Sequence, residues 1–208
     1  MAKEKTKQGK NQDNKMENKD KNNKMKEEKK NKEKNKMQEV ILEKVVLSIG
    51  AQGDELEKAV RLLGVISKRK IVKTKTHKRI PGFEIRPGLE IGCKVTLRGN
   101  DATELLKKLL SAVSNQLKEK QISDENFSFG IKEYIEIPEM EYQRDIGIMG
   151  LNVTAVFKRK GKRVEIKKIK RGKIPRRQRV SKQEIIEYMK NNFQTKILEK
   201  QSKKGGEW

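Results

Sequence analysis

The sequence predicts an α+β fold, a mostly antiparallel sheet with helices on one face. Three observations predict it. Four runs alternate apolar and polar residues with period two (VVLSIG, CKVTLRG, NFSFGIK and LNVTAVFKR), and two amphipathic stretches of helical period lie between them. Hydrophobic residues make up 33% of the 208-residue chain and charged residues 39%, which suffices for one modest core. Residues 1–36 differ in kind, since their 14 Lys, seven acids and seven Asn leave too little apolar surface to offset the entropy of ordering. The expected organisation is a disordered tail over 1–36, one folded domain over 37–197 and a flexible C-terminal tail over 198–208.

The first strand is EKVVLSIG, with Val45, Leu47 and Ile49 on one face. In the helix that follows, GDELEKAVRLLGVIS, apolar residues recur at Leu56, Ala59, Val60, Leu63 and Ile66, and Asp54 with Glu57 suits a capping box. KIVKTKT is the second strand. It runs into a basic loop punctuated by Pro81, Gly82, Pro87 and Gly88. The third strand, LEIGCKVTLRG, turns Ile91, Cys93, Val95 and Leu97 inward and stops at Gly99 and Asn100. A second helix spans about Asp101 to Leu117, with Ala102, Leu105, Leu106, Leu109, Leu110, Val113 and Leu117 on one stripe and Asp101 and Glu104 at a capped start. NFSFGIK places Phe127, Phe129 and Ile131 on one face. The irregular stretch IEIPEMEYQRDIGIMG then leads to the strand LNVTAVFKR. Residues 158–179 read as a basic hairpin turning at Lys160 and Gly161. SKQEIIEYMKNNF, capped by Ser181 and Glu184, is a short docking helix with Ile185, Ile186, Met189 and Phe193 in its stripe. The order of elements is that of a split βαβ, RRM-like sandwich.

Charge bounds the function. The formal net charge is +23, of which residues 1–36 hold +7, residues 68–98 hold +8 and residues 158–179 hold +12, leaving −4 for the rest. Charge concentrated in this way attracts polyanions, nucleic acid ahead of an anionic membrane surface. The single Cys93 cannot form an internal disulfide and reads as core. One His cannot assemble a zinc site, so neither metal nor cofactor is expected. No apolar run approaches the ~20 residues of a membrane span, and the N-terminus lacks the apolar stretch of a secretory signal, so a cytoplasmic protein is expected. An enzyme would need acids such as Asp101, Glu133 and Asp145 to converge, with no partner His or phosphate-binding glycine loop beside them; none is expected.

Alternation sends Lys94, Thr96 and Arg98 to the open face of the sheet, with Ser128 and Lys132 from one neighbouring strand and Asn152 and Thr154 from another. That platform suits RNA. With 4% aromatic residues, and Phe127 and Phe129 needed in the core, base stacking cannot dominate. The helices mix Lys and Glu, which argues against reading the major groove of DNA. Structured RNA, held by phosphates, 2′-hydroxyls and shape, is the expected ligand. The tail is either a solvated extension or an RNA-tethering arm, and Arg86 is expected to brace the loop by pairing with Glu84 or Glu90.

KVVLSIG, KTKTHKRIPGFEIRPGLEIGCKVTLRG, NFSFGIKEYIEIP, IGIMGLNV and KIPRRQRVSKQE, in this order and spacing over about residues 38–195, resemble the family of large-subunit ribosomal protein five, the 5S rRNA binders, in its archaeal and eukaryotic form. The resemblance implies a non-catalytic part of the central protuberance that anchors 5S rRNA and contacts large-subunit rRNA. It also implies a loop reaching peptidyl-site tRNA and an edge facing small-subunit head protein thirteen. The family's 5S contacts fall on Thr74, Thr96 and Arg98, with Lys94 between them on the platform, and on positions 48 and 69, where the family's Asn and Gln are replaced by Ser48 and Arg69. Ser48 keeps one hydroxyl for hydrogen bonding, and Arg69 brings a phosphate clamp. The tRNA-facing loop corresponds to Lys75, His77, Lys78, Arg79 and Phe83. The basic segment resembles the archaeal extension, with Lys167, Lys168, Lys170, Arg171, Arg176 and Arg177 as rRNA phosphate contacts. The rival reading is a basic protein that binds or compacts RNA or DNA without specificity.

Overall fold

The computed structural model describes residues 36–198. Apart from Lys36 and Leu198, both expected tails lie outside the described residues. Lys36–Gln38 form a 3-10 turn in a separate unit, and the unit that carries the site begins at Val40. Its strands are β1 (Val40–Gly50), β2 (Val72–Lys75), β3 (Glu90–Leu97), β4 (Gln116–Lys118), β5 (Asn126–Ile131), β6 (Leu151–Arg159) and β7 (Lys196–Leu198). Its helices are α1 (Asp54–Ser67), α2 (Asn100–Ala112), the single turn α3 (Arg163–Ile166) and α4 (Lys182–Phe193).

Five strands form one sheet in the order β2-β3-β1-β6-β5, every neighbouring pair antiparallel. β1 and β2 both run antiparallel to β3, so they flank it as the two arms of a split βαβ unit. The register aligns the inward rows: Leu97, Val45 and Ala155 in one, Val95, Leu47 and Val153 in the next. All six are buried, as are Cys93, Ile49, Phe127, Phe129, Ile131, Leu151 and Phe157. Leu56, Ala59, Leu62 and Leu63 of α1, Leu106, Leu109 and Leu110 of α2, and Ile185, Met189 and Phe193 of α4 join them in one hydrophobic cluster. The sheet therefore has one covered face, as the alternation predicts. Cys93, 2% exposed, is core, and burial pushes its thiol pKa up.

Some local expectations fail for identifiable reasons. Gly53 and Gly99 occupy the N-cap positions of α1 and α2 without a side-chain cap, so the two expected acidic capping boxes do not form. Asp54 and Asp101 fall in the first turns instead, where a negative charge favours the helix dipole. The second helix ends at Ala112 and not at Leu117, because Ser114 and Asn115 take left-handed backbone angles (φ 53 and 55). Leu117 is still fully buried, but from β4, which pairs in parallel with β7. By contrast, Glu184 does reach back to the Ser181 N–H at 3.0 Å, and the capping box of α4 closes as expected. After the turn at Lys160 and Gly161 the chain enters α3, not a return strand, so the basic segment is an irregular arm and no hairpin. The stretch before β6 hangs on Tyr134, a residue the sequence did not single out. It is fully buried, and its hydroxyl oxygen accepts the Gln143 N–H at 2.8 Å.

At Gly92 of β3 a Cβ would lie 2.8 Å from the carbonyl oxygen of Ile49 on β1. Backbone must move to admit it. Gly92→Ala is expected to cost roughly 1–3 kcal/mol in urea denaturation, the usual cost of overpacking. A midpoint equal to the wild type's would show that the strands part freely.

Candidate nucleic-acid interface

The open face of the sheet is built by register. Lys94, Ser48 and Asn152 stand side by side on β3, β1 and β6, with Val72 and Gly130 completing that row on the outer strands. In the next row Thr96, Val46, Thr154 and Ser128 align, and in the one beyond it Lys44, Val156 and Asn126. None of these residues is a carboxylate. Lys94, Thr96, Ser128 and Asn152 are exposed, and Ser48 and Thr154 half-buried, so donors stand at roughly the 4.8 Å spacing of adjacent strands. Arg98 and Lys132, one residue past the ends of β3 and β5, are exposed at its margins, and Thr74 faces Gly92 on the edge strand. The platform expected from alternation is thus brought together.

The loop between β2 and β3 is ordered by its own hydrogen bonds. Thr76 and Gly88 close its base, with Thr76 N–H donating to Leu89 O at 3.0 Å and Gly88 N–H to Thr76 O at 2.9 Å. Near the tip Ile80 and Ile85 exchange backbone bonds around a 3-10 turn, Pro81–Phe83. The loop is a braced finger. His77, Lys78 and Arg79 are exposed along it, and Phe83 at the tip is 70% exposed. Glu90 pairs with Lys73 at 3.1 Å and Lys75 at 3.9 Å, so it is these lysines and not Arg86 that it holds; Arg86 makes no ion pair among the described residues.

Arg69 is exposed in the α1–β2 connection and is held by the Asp101 carboxylate. It borders the groove between the end of α1 and the start of α2 together with Leu97, Glu104 and Leu105. An ion pair this exposed is worth at most about 1 kcal/mol, so a phosphate could compete for the guanidinium. Glu133 and Asp145 are also exposed, and no group of three or more potential metal ligands gathers among the described residues.

Some cations of the basic arm face carboxylates and others stand free of them. Lys158 and Lys162 face Glu43, Lys162 and Arg179 face Glu125, and Arg159 pairs with Glu184. These four face three carboxylates of the domain's body. Lys167, Lys168, Lys170, Arg171, Arg176 and Arg177 are all exposed and make no ion pair among the described residues. Arg171 spends one N–H on the Glu165 carbonyl at 2.7 Å, which folds the arm back on itself. Sequence reading treated the net +12 as one surface and missed Glu43 and Glu125. Glu43 carried a signal: it is two residues before Val45, at a position that strict alternation turns inward.

With exposed cations on an open sheet face, a braced finger and an arm, the domain is a basic α+β protein whose field attracts a polyanion. Residues 35–86 match the family model described as ribosomal protein L5, and residues 90–188 match the model of the same ribosomal family's C-terminus. The large ribosomal subunit protein uL5 of Nanoarchaeum equitans is 44% identical over 165 residues, covering 78% of this chain and 98% of that protein. Those of Sulfolobus acidocaldarius (43% over 166 residues, 78% and 93% covered) and Methanosphaera stadtmanae (39% over 164 residues, 77% and 98%) are similar in the same way. The chain belongs to the ribosomal protein uL5 family.

Proposed function

We propose that this chain is a non-catalytic, structural component of the large ribosomal subunit in the cytoplasm, and that its open sheet face binds 5S rRNA and anchors it in the central protuberance. The carrying observation is the row Lys94–Ser48–Asn152 with the next row Thr96–Val46–Thr154, donor-rich and with no carboxylate among its members. Spaced donors on a rigid sheet suit the phosphates and 2′-hydroxyls of folded RNA. Ser48, Arg69, Thr74, Lys94, Thr96 and Arg98 are the contacts to 5S rRNA on this reading. The arm cations lie on large-subunit rRNA. The finger, with Lys75, His77, Lys78, Arg79 and Phe83, meets peptidyl-site tRNA; its bracing presents cations without a folding cost at each encounter. Contact with small-subunit head protein thirteen rests on the family resemblance alone.

Equilibrium binding of the full chain to transcribed 5S rRNA and to an unrelated folded RNA of equal length, over a range of salt, tests this reading. We expect 5S rRNA to be preferred roughly a hundredfold or more at physiological salt, with Arg98→Ala narrowing the gap. Equal affinities that fall together with salt would mean a nonspecific polyanion binder.

A further inference from the structure

Two backbone irregularities aim carboxylates at the same lysine. Glu43 is the extra residue of a bulge in β1, between Leu42 opposite Phe157 and Lys44 opposite Val156. Its carboxylate, 10% exposed, lies 3.8 Å from Lys158 Nζ and 3.9 Å from Lys162 Nζ. Glu125, just before β5, has φ 66, a left-handed conformation that is uncommon for a residue with a Cβ and persists where its surroundings demand it. Its carbonyl oxygen accepts the Phe157 N–H at 2.7 Å, and its carboxylate meets Lys162 Nζ at 3.0 Å and Arg179 Nε at 3.8 Å.

Lys162 and Arg179 flank residues 163–178 of the arm. One carboxylate therefore joins both ends of a loop over 163–178 that has Glu165 as its only acid. A loop crowded with like charges tends to open, and a tie at its base opposes this. Inside the tie, Lys167 N–H donates to Arg163 O at 3.0 Å and Gly172 N–H to Val164 O at 3.1 Å.

We propose that Glu125, backed by Glu43, is the clasp that closes this Ω-loop and so positions its outer cations for the rRNA backbone. The proposal rests on the rRNA-binding reading above. Glu125 touches no RNA in this role; it acts through Lys162 and Arg179.

The test uses the full chain with Glu125→Gln, which removes the charge at constant shape, and Glu125→Gly, which also relieves the left-handed backbone. Trypsin cleavage at residues 163–178, followed by mass spectrometry, reports the loop without RNA present. A large-subunit rRNA fragment containing the 5S-docking region reports binding. We expect both variants to speed cleavage in the loop and to weaken rRNA binding about tenfold through lost preorganisation, while Glu125→Gly keeps or raises the wild-type Tm. A purely structural Glu125 would not separate affinity from stability in this way. Unchanged protection of the loop in both variants overturns the clasp. An opened loop with unchanged affinity overturns its positioning role. Unchanged rRNA binding after replacement of the six outer cations defeats the rRNA reading itself, and the positioning role with it.

Discussion

Replacing Lys167, Lys168, Lys170, Arg171, Arg176 and Arg177 together by Gln is expected to lower affinity for large-subunit rRNA by about two to three orders of magnitude near 0.1 M salt. The slope of log K against log salt should fall by roughly four to five, because each phosphate contact releases about 0.7–0.9 of a counterion. These six are exposed and pair with no carboxylate among the described residues, whereas Lys158, Arg159, Lys162 and Arg179 already face carboxylates. Replacing that second set should therefore change the salt slope far less per residue and stability far more. The six-fold variant should keep its Tm or gain slightly, since removing like charges from one loop relieves repulsion. If the slope is unchanged, the arm is a solvated appendage.

What could be read from the sequence divides along physical lines. Alternation is a local signal, so the inward rows of β1, β3, β5 and β6 and the open platform opposite them were visible in advance. The end of α2 was not, because Val113 and Leu117 fit both a helical stripe and a turn followed by a strand. Only the Ser114–Asn115 pair, two residues able to take left-handed angles, hinted at the stop. The acidic capping boxes failed at α1 and α2 because a glycine stood one residue earlier at the cap. Ser181, with no glycine before it, kept its own. The partition of the arm's cations was hidden for a different reason. Glu43 and Glu125 are far from Lys162 in sequence, and which charges cancel depends on a bulge and a turn that composition does not record. Arg69 is a similar case, held by Asp101 across the groove between two helices.

Phe157→Ala is expected to cost about 3–5 kcal/mol, much of the 5–15 kcal/mol that stabilises a typical domain. Phe157 is fully buried at the point where three elements meet. Its ring stacks on Phe127 of β5 at 5.7 Å and meets the edge of Tyr188 of α4 at 5.3 Å. Its N–H is the one held by Glu125 O. The cavity would thus open beneath the base of the arm, between the sheet and the helix that follows it. Tyr188 belongs to α4, so the contact between the two rings couples that helix to β6. Loss of Phe157 should therefore loosen α4 first, seen as faster amide exchange over 182–193, and then lower the urea midpoint with an unchanged m-value. Val45→Ala, as deeply buried but between β3 and β6 at the centre of the sheet, is the comparison. It should cost stability without selectively releasing α4. Equal exchange in the two variants would show that the ring packs the core without coupling the helix and arm to the sheet.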